Sequence, residues 1–393
     1  MGPVYLDHNA TTPMRREVRE LLAAELDALG GNPSSVHAAG RRARAVVDGA
    51  RERVAAALGV GEEECVFTSG GTEANNLALF GALRLQAPPA LLVAGATEHS
   101  SVLEPARRLE LEGFALRLVA PDSLGRIEAP ALLAAAAEPT CRLVSVMAAN
   151  NEVGSAAPVA ELGAGLRALP GDRRPLLHTD ATQALGRLPV DLASWGVDLA
   201  SFSAHKIGGP LGVGLLVRRR GTPLAPMIMG GAQEGGLRAG TENAPALAAA
   251  ALAVELAVRE QPAFRTRVGA VAAKLWALLA EAIPGTRLLG PPIDAPDRLP
   301  NTLAVLLPDA RPRMLVARLD LEGVAASAGS ACASGSIEPS HVLLAMGCSP
   351  EQARGALRLS LGRETSPQDA RHAVETLRRT WRGLAAARDD REN

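Results

Sequence analysis

Short apolar runs alternate with segments of helical periodicity over the first two thirds of the chain. The apolar runs predict strands at Cys65–Thr68, Leu91–Ala94, Phe114–Val119, Leu143–Met147, Leu176–His178, Leu199–Phe202 and Val213–Val217. The helical pattern covers 17–60, with a break at Gly30–Pro33, and recurs at Glu73–Leu85, Val102–Glu112, Ala129–Ala137 and Val159–Leu169. Strands that alternate with helices indicate an α/β fold, in which helices cover a mostly parallel central sheet.

Polar residues collect where five of these predicted strands end. They are Ser69–Thr72, Glu98–His99, Asn150–Glu152, Asp180–Gln183 and Ser203–Lys206. In open α/β sheets, ligands bind beyond the carboxyl ends of the strands. The sequence therefore predicts one binding site at this edge of the sheet.

The pattern changes after an alanine-rich helix predicted near Ala244–Glu260. Strands are predicted at Arg298–Leu307, Val324–Ala328 and Ala356–Leu361, and a closing helix at Pro367–Arg388. A chain of 393 residues is too long for one compact core. We predict a large domain at 15–260, and a smaller α+β domain built from 1–14 and 261–393 that carries a cysteine loop at about 327–337.

Composition and charge exclude several classes of protein. No apolar run reaches the roughly 20 residues that span a bilayer, and the N-terminus lacks the pattern of a secretory signal. These features predict a cytoplasmic protein without membrane contact. The net charge of −1 argues against nucleic acid as a direct partner. The four cysteines form no C-x-x-C pair, so we expect free thiols and no metal site.

Lysine is almost absent from the sequence. Only Lys206 and Lys274 occur, while arginine carries nearly all the positive charge. Arginine stays protonated and cannot act as an amine nucleophile. Lys274 lies in a helical stretch and is predicted to be a surface charge. Lys206, between a histidine and Ile207-Gly208-Gly209-Pro210, is predicted to be chemically active.

Three features near the strand ends suit a phosphorylated pyridine aldehyde. The segment Thr68–Glu73 follows a strand and begins a helix, so its glycine amides and the Thr72 hydroxyl can bind one phosphate. The alternative is that Thr72 only caps the helix. Asp180 ends an apolar strand and would pair with a protonated pyridine nitrogen; the alternative is a structural cap of the following turn. Lys206 would form an imine with the aldehyde, and His99 could stack on the ring.

Cys332 lies among small residues in Ala328–Ser336, which predicts a mobile segment and a reactive thiol rather than a packed one. The alternative is a small apolar side chain on a loop. Cys65 and Cys141 are predicted to be buried strand residues, and Cys348 precedes a turn into a helix. Structural rather than catalytic roles are predicted for His8, His37 and His341.

The chain resembles the class V aminotransferase superfamily and, more narrowly, cysteine desulfurases of the NifS/IscS type. The cofactor-lysine motif is Ser203-Ala204-His205-Lys206-Ile207-Gly208-Gly209-Pro210. The other matching segments are Tyr5–Pro13, Gly31–Ser35, Thr68–Asn76, Thr97–His99, Asn150–Gly154, His178–Gln183, Gly236–Thr241, Ser327–Ser334 and Arg358–Arg363.

The resemblance implies the pyridoxal-phosphate transferase type I fold, with pyridoxal 5′-phosphate as the cofactor. It implies phosphate contacts by Gly71, Thr72, Ser203 and His205, and by Thr241 from a partner subunit. It implies that His99 stacks on the ring, that Asp180 pairs with the ring nitrogen and that Gln183 contacts the phenolic oxygen. Lys206 would hold the cofactor, Asn151 and Arg358 would hold the substrate, and Cys332 would receive sulfur from L-cysteine as a persulfide.

The resemblance further implies a homodimer that delivers sulfur to an acceptor protein, for iron–sulfur cluster assembly or thiolation. Two alternatives remain open at this point. The first is another enzyme of the same fold, such as an aminotransferase, a selenocysteine lyase or a kynureninase-like hydrolase. The second is a non-catalytic scaffold for sulfur transfer.

Overall fold

A computed structural model describes residues 2–169, 174–308, 312–328 and 339–392. Its strands are β1 Val4–Tyr5, β2 Cys65–Thr68, β3 Leu91–Gly95, β4 Ala115–Val119, β5 Cys141–Ser145, β6 Leu176–Asp180, β7 Leu199–Ser203, β8 Gly214–Arg218, β9 Arg287–Leu289, β10 Thr302–Leu306, β11 Val324–Ala325, β12 Ser327–Ala328 and β13 Ala356–Ser360. Its α-helices are α1 Arg16–Ala28, α2 Ala38–Leu58, α3 Gly71–Leu83, α4 Ser100–Leu111, α5 Ala129–Ala136, α6 Val159–Ala168, α7 Leu192–Trp195, α8 Ala244–Ala282, α9 Pro312–Leu321, α10 His341–Ala345, α11 Pro350–Gly355 and α12 Pro367–Glu392.

The large sheet has seven strands in the order β2-β8-β7-β6-β5-β3-β4. Neighbouring strands from β7 to β4 are parallel, and β8 runs antiparallel to both β7 and β2. The predicted α/β class with a mostly parallel central sheet is therefore confirmed. The carboxyl ends of the parallel strands meet at one edge, which brings the polar residues that follow them close together.

A four-stranded antiparallel sheet, in the order β12-β13-β10-β9, forms the second architectural unit. It packs against α8 and α12 around a separate apolar cluster that includes Leu303, Leu357 and Leu377. This smaller sheet matters for function because β13 carries Arg358, which pairs in register with Ser327 of β12. Among the described residues, no helix is long and apolar enough to span a membrane.

Helix α8 contributes to both major apolar clusters. Its first half, including Leu247 and Val254, packs with the large sheet, and its second half, including Val268 and Leu275, packs with the small one. The sequence prediction ended this helix near residue 260, but the helix continues to Ala282 through Pro262. Burial on both sides outweighs the roughly 3 kcal/mol that an internal proline costs. The division at residue 260 stays a prediction.

Most predicted strands differ from those observed by a residue or two at one or both ends, and hydrogen bonds or strand pairing account for three of the differences. Strand β5 ends at Ser145, because the Met147 amide leaves the ladder and donates to Glu98 Oε1 at 2.6 Å. Strand β10 begins at Thr302 rather than 298, since the Leu299 amide bonds to the Gly154 carbonyl. The predicted strand 324–328 is two short strands, which pair with β1 and β13 respectively. Local propensity does not reveal which neighbour a backbone group will meet.

Candidate active site

A cavity of about 250 Å³ lies at the carboxyl edge of the large sheet. Ten of the twelve residues predicted for the site line it: Gly71, Thr72, His99, Asn151, Asp180, Gln183, Ser203, His205, Lys206 and Arg358. They come from both sheets, because Arg358 belongs to β13 and the others follow strands of the large sheet. The structure thus brings into one place residues that are up to 287 positions apart (358 − 71).

The amino terminus of α3 forms one end of the cavity. The helix begins at Gly71 with Gly70 as its N-cap, so the alternative that Thr72 is the N-cap is wrong. Thr72 lies in the first turn and is exposed. The Ser69 amide is held by Glu73 Oε2 at 2.7 Å, and the other oxygen of Glu73 pairs with Arg238 at 2.9 Å. These bonds fix the loop that leads into the helix.

Gly71 leaves room that a larger residue would fill. A Cβ built there would lie 3.2 Å from Thr182 Oγ1 and 3.3 Å from Ser203 Cβ, closer than ordinary van der Waals contact. The Thr182 hydroxyl is buried and has no hydrogen-bond partner in the part of the chain that the structure describes. A helix terminus with free amides beside an unpartnered hydroxyl is well suited to a phosphate. These residues therefore fit the phosphate of pyridoxal 5′-phosphate.

Asp180, at the end of β6, is 7% exposed. Its Oδ2 accepts a hydrogen bond from Asn75 Nδ2 at 2.7 Å, and its Oδ1 accepts one from the Thr182 amide at 2.9 Å. The carboxylate does cap the turn, as the structural alternative proposed, and it also lines the cavity. It forms no salt bridge with an arginine or lysine side chain in the described part of the chain. A buried carboxylate with this environment fits a cationic ring nitrogen.

His99 is the N-cap of α4, and its Nδ1 accepts a hydrogen bond from the Ser101 amide. Burial lowers the pKa of His99; the positive charge of Lys206 acts in the same direction, and Asp180 opposes it. The ring is therefore neutral near pH 7. Beside it, burial raises the pKa of Glu98 well above its usual range, and the nearby Asp180 adds to this effect. Burial thus disfavours the charged form of both His99, which lines the cavity, and Glu98, which precedes His99 in the sequence.

Lys206 lies in a short 3₁₀ turn, Ala204–Ile207, immediately after β7. Its Nζ donates to the carbonyl oxygens of Asn9 and Ala10, both at 2.7 Å. Its own carbonyl accepts from Thr12 Oγ1 and from the Arg187 guanidinium, both at 3.1 Å. The amine is thus held at the boundary of the cavity by the N-terminal segment.

His205 borders Lys206 and is also neutral near pH 7. Burial lowers the pKa of His205 to about 4, with the positive charges of Lys206 and Arg187 acting in the same direction. Its Nδ1 lies 3.0 Å from Thr11 Oγ1.

Arg358 is 2% exposed. One terminal nitrogen pairs with Asp7 Oδ1 at 2.7 Å, and the other donates to the Asn151 carbonyl at 3.2 Å. Among the described residues its buried Nε has no hydrogen-bond partner. The side chain lines the cavity and places a positive charge there, which suits a carboxylate ligand.

Several residues of the site carried no prediction of a role. Asn75 and Thr182 contact Asp180, and Asn9 joins Asn151 to the small sheet through Thr302. The contacts of Asn75 and Asn9 join distant segments, so no local pattern marks them, whereas Thr182 lies within the predicted polar segment Asp180–Gln183. Arg187 follows Gln183 by one helical turn and bonds to its side-chain oxygen at 2.7 Å; the i, i+4 spacing was the only available signal.

The other two predicted residues are Thr241 and Cys332. Thr241 is exposed and is not among the lining residues. Cys332 lies outside the described residues. The predicted buried strand positions of Cys65 and Cys141 are confirmed, and Ser349 caps α11 directly after Cys348. Within the ranges that the structure describes, no cluster of three or more His, Cys, Asp or Glu side chains is placed to hold a metal.

An α/β sheet whose edge gathers a lysine, a buried carboxylate and a helix terminus in one cavity is typical of pyridoxal-phosphate enzymes. The sequence model of the aminotransferase class-V family matches residues 4–372. The chain belongs to this family, whose cofactor is pyridoxal 5′-phosphate, and the resemblance inferred from the motifs is confirmed.

Named relatives match almost the whole chain. The cysteine desulfurase IscS of Dictyoglomus turgidum is 40% identical over 377 residues, which cover 96% of this chain and 94% of that protein. A putative cysteine desulfurase, IscS 1 of Bacillus subtilis, is 37% identical over 385 residues, covering 96% and 100%. A solved structure of a NifS-like protein superposes with a TM-score of 0.88 at 35% identity, covering 96% of this chain and 98% of that one.

Proposed function

We propose that this protein is a cysteine desulfurase that converts L-cysteine to L-alanine and takes up the sulfur on Cys332 as a persulfide. The observation that carries the proposal is the single cavity that gathers Lys206, Asp180, His99 and Arg358. Near full-length similarity to proteins named cysteine desulfurase supports the choice of reaction within the family.

When bound, pyridoxal phosphate supplies an aldehyde that captures amines and a cationic ring that withdraws electrons from the substrate Cα. In this proposal Gly71, Thr72, Ser203 and His205 bind its phosphate. Asp180, oriented by Asn75, keeps the ring nitrogen protonated. His99 stacks as a neutral ring, and Gln183 contacts the phenolic oxygen. Their combined role is to hold the cofactor in one orientation and to maintain its electron-withdrawing state.

Arg358 and Asn151 orient the substrate, with Arg358 binding its carboxylate. Lys206 then removes the Cα proton as a general base, since its amine is placed at the cavity boundary. The Cys332 thiolate attacks the substrate sulfur, so that an S–S bond forms while the Cβ–S bond breaks. The bonding electrons stay with the carbon fragment, which is protonated and leaves as alanine. The sulfur then passes from Cys332 to an acceptor.

Thr241 fits this scheme only if a second subunit is present. We infer a homodimer in which Thr241 of each chain contacts the cofactor phosphate of the other, because this residue is exposed and is not among the residues that line its own cavity. The acceptor is a sulfur-accepting protein of iron–sulfur cluster assembly or of thiolation, and the protein acts in the cytoplasm.

The test is incubation of the purified protein with L-cysteine and a thiol reductant. Sulfide and alanine are expected in equal amounts. Lys206→Ala should lose the visible absorbance of the bound cofactor, whereas Lys274→Ala, which changes the only other lysine, should keep both absorbance and activity. Cys332→Ser should keep the absorbance and stop sulfide release. Amino transfer to a keto acid without sulfide would instead establish an aminotransferase.

A further inference from the structure

A second cavity, of about 120 Å³, also borders Lys206. Among the described residues, the two cavities have no other lining residue in common. The N-terminal segment separates the two, since His8 and Thr12 line the second cavity while Asn9 and Ala10 line the first. At about 30 Å³ per water, this space holds roughly four waters or one ion of four to five heavy atoms.

The lining of this second cavity is strongly cationic. Its charged members are Arg15, Arg16, Arg187, Lys206, Arg363 and Glu364. Five positive side chains and one carboxylate thus line it in the described part of the chain. Three of the arginines also form ion pairs, Arg15 with Glu260, Arg16 with Glu20 and Arg363 with Glu364, whereas Arg187 forms none with a described residue. The uncompensated charge of Arg187 attracts ions of the opposite sign.

Arg187 is the most deeply placed of these cations. It is 4% exposed, and in the part of the chain that the structure describes it forms no salt bridge with a carboxylate. Neutral oxygens bind it instead: the carbonyl and side-chain oxygens of Gln183 and the carbonyl of Lys206. Burial lowers the pKa of Arg187 to about 10, and the charge of Arg358 contributes. A buried charge without a counter-ion is costly, and an anion close by would remove much of that cost.

Other residues of the cavity point to the same ligand chemistry. Burial lowers the pKa of Arg15. The carboxylate of Glu260 opposes this effect, and the positive charge of Arg363 adds to it. The wall also includes His8 and is otherwise apolar, with Leu185, Ile207 and Phe264. The cavity therefore offers positive charge and a small apolar surface.

We propose that this cavity is a second ligand site, which binds a small anion as the counter-ion of Arg187. The ligand is an inorganic oxyanion or a short carboxylate whose tail contacts the apolar wall. Because Arg187 bonds to both Gln183 and Lys206, an anion here changes the electrostatic field at the candidate active site without entering it. The site does not depend on which reaction the enzyme catalyses.

The test is calorimetric titration of the cofactor-loaded protein with sodium sulfate and, separately, with sodium propionate at constant ionic strength. Loading the cofactor keeps the phosphate cradle filled, but a carboxylate can still reach Arg358 in the candidate active site. Only binding that a substitution in the second cavity weakens is therefore assigned to that cavity. We expect saturable binding of at least one probe, and about tenfold weaker binding in Arg363→Gln, the effect of losing one charged hydrogen bond. Arg379→Gln removes an arginine of a surface ion pair outside the cavity and should leave the affinity unchanged.

Each outcome is decisive. Binding of sulfate alone that Arg363→Gln weakens assigns the site to inorganic oxyanions, and binding of propionate that Arg363→Gln weakens assigns it to short carboxylates. Absence of saturable binding for both probes, or equal affinity in Arg363→Gln, would overturn the proposal. If Arg363→Gln does not fold, Arg16→Gln is the substitute, because that lining side chain is 73% exposed and its replacement leaves the core intact.

Discussion

Replacing Gly71 by alanine separates the folding role of the α3 terminus from its proposed binding role. The added methyl group would lie 3.2 Å from Thr182 Oγ1 and 3.3 Å from Ser203 Cβ. Both neighbours are side-chain atoms, so a shift of a few tenths of an ångström accommodates the methyl. Gly71 is not among the glycines with positive φ, and alanine imposes no backbone strain there. The fold should therefore tolerate the change.

The Gly71→Ala substitution should weaken cofactor binding. The methyl group fills the space through which backbone amides approach a phosphate, and losing one hydrogen bond to a charged group costs about 1.5–3 kcal/mol. We expect the dissociation constant for pyridoxal phosphate to rise by about 10- to 100-fold. The melting temperature of the apoprotein should stay the same or rise slightly, because alanine favours helix over glycine by up to about 1 kcal/mol.

Gly49→Ala is the matched control. Gly49 lies inside α2, and a Cβ there would meet nothing within 4 Å. This variant should gain about 0.5–1 kcal/mol of stability and bind the cofactor with unchanged affinity. The measurements are calorimetric melting of both apoproteins and absorbance titration with pyridoxal phosphate. Unchanged cofactor affinity in Gly71→Ala, or the same loss in both variants, would refute the assignment of the cradle.

Two further predictions concern stability. Asp7→Asn removes the charged partner of the buried Arg358 and should lower the free energy of unfolding by about 3 kcal/mol. Glu322→Gln, in an exposed pair with Arg379, should lower it by less than about 1 kcal/mol. Equal losses for the two variants in denaturant titrations would contradict this reasoning. His178 is fully buried between the hydroxyls of Ser145 and Ser201, and burial lowers its pKa from 6.5 to about 4. Below pH 6.5 the unfolded chain takes up a proton that the folded one does not, so this group should reduce stability by about 1.4 kcal/mol per pH unit down to about pH 4. His178→Asn should flatten the pH profile of the melting temperature in this range, and an unchanged slope would argue against a neutral His178.

The strands of the large sheet were predictable because each is a short, uninterrupted apolar run between polar segments. All seven predicted positions overlap strands of the structure, and the residues that follow them do meet at one edge. Asp180 was a sound candidate for the same reason, since a carboxylate at the end of a buried strand needs a partner. The lysine-poor composition singled out Lys206 before any geometry was available.

The supporting residues could not be predicted in this way. Asn75 contacts Asp180 across 105 positions, and Asn9 contacts Asn301 across 292, so these hydrogen bonds depend on the tertiary fold. Arg187 is identical in type to many surface arginines, and only its burial distinguishes it. The path of α8 through Pro262 was likewise set by packing on both sides of the proline, which outweighs its local preference.

Helix α8 also determines how the molecule can be divided. At 1.5 Å per residue its 39 residues form a rod of about 58 Å. Cutting the gene near residue 260 would leave each fragment with half of this rod and an uncovered apolar stripe, so neither piece should be soluble by itself. Insertions or split-protein junctions belong instead in exposed turns, where no shared element has to be rebuilt.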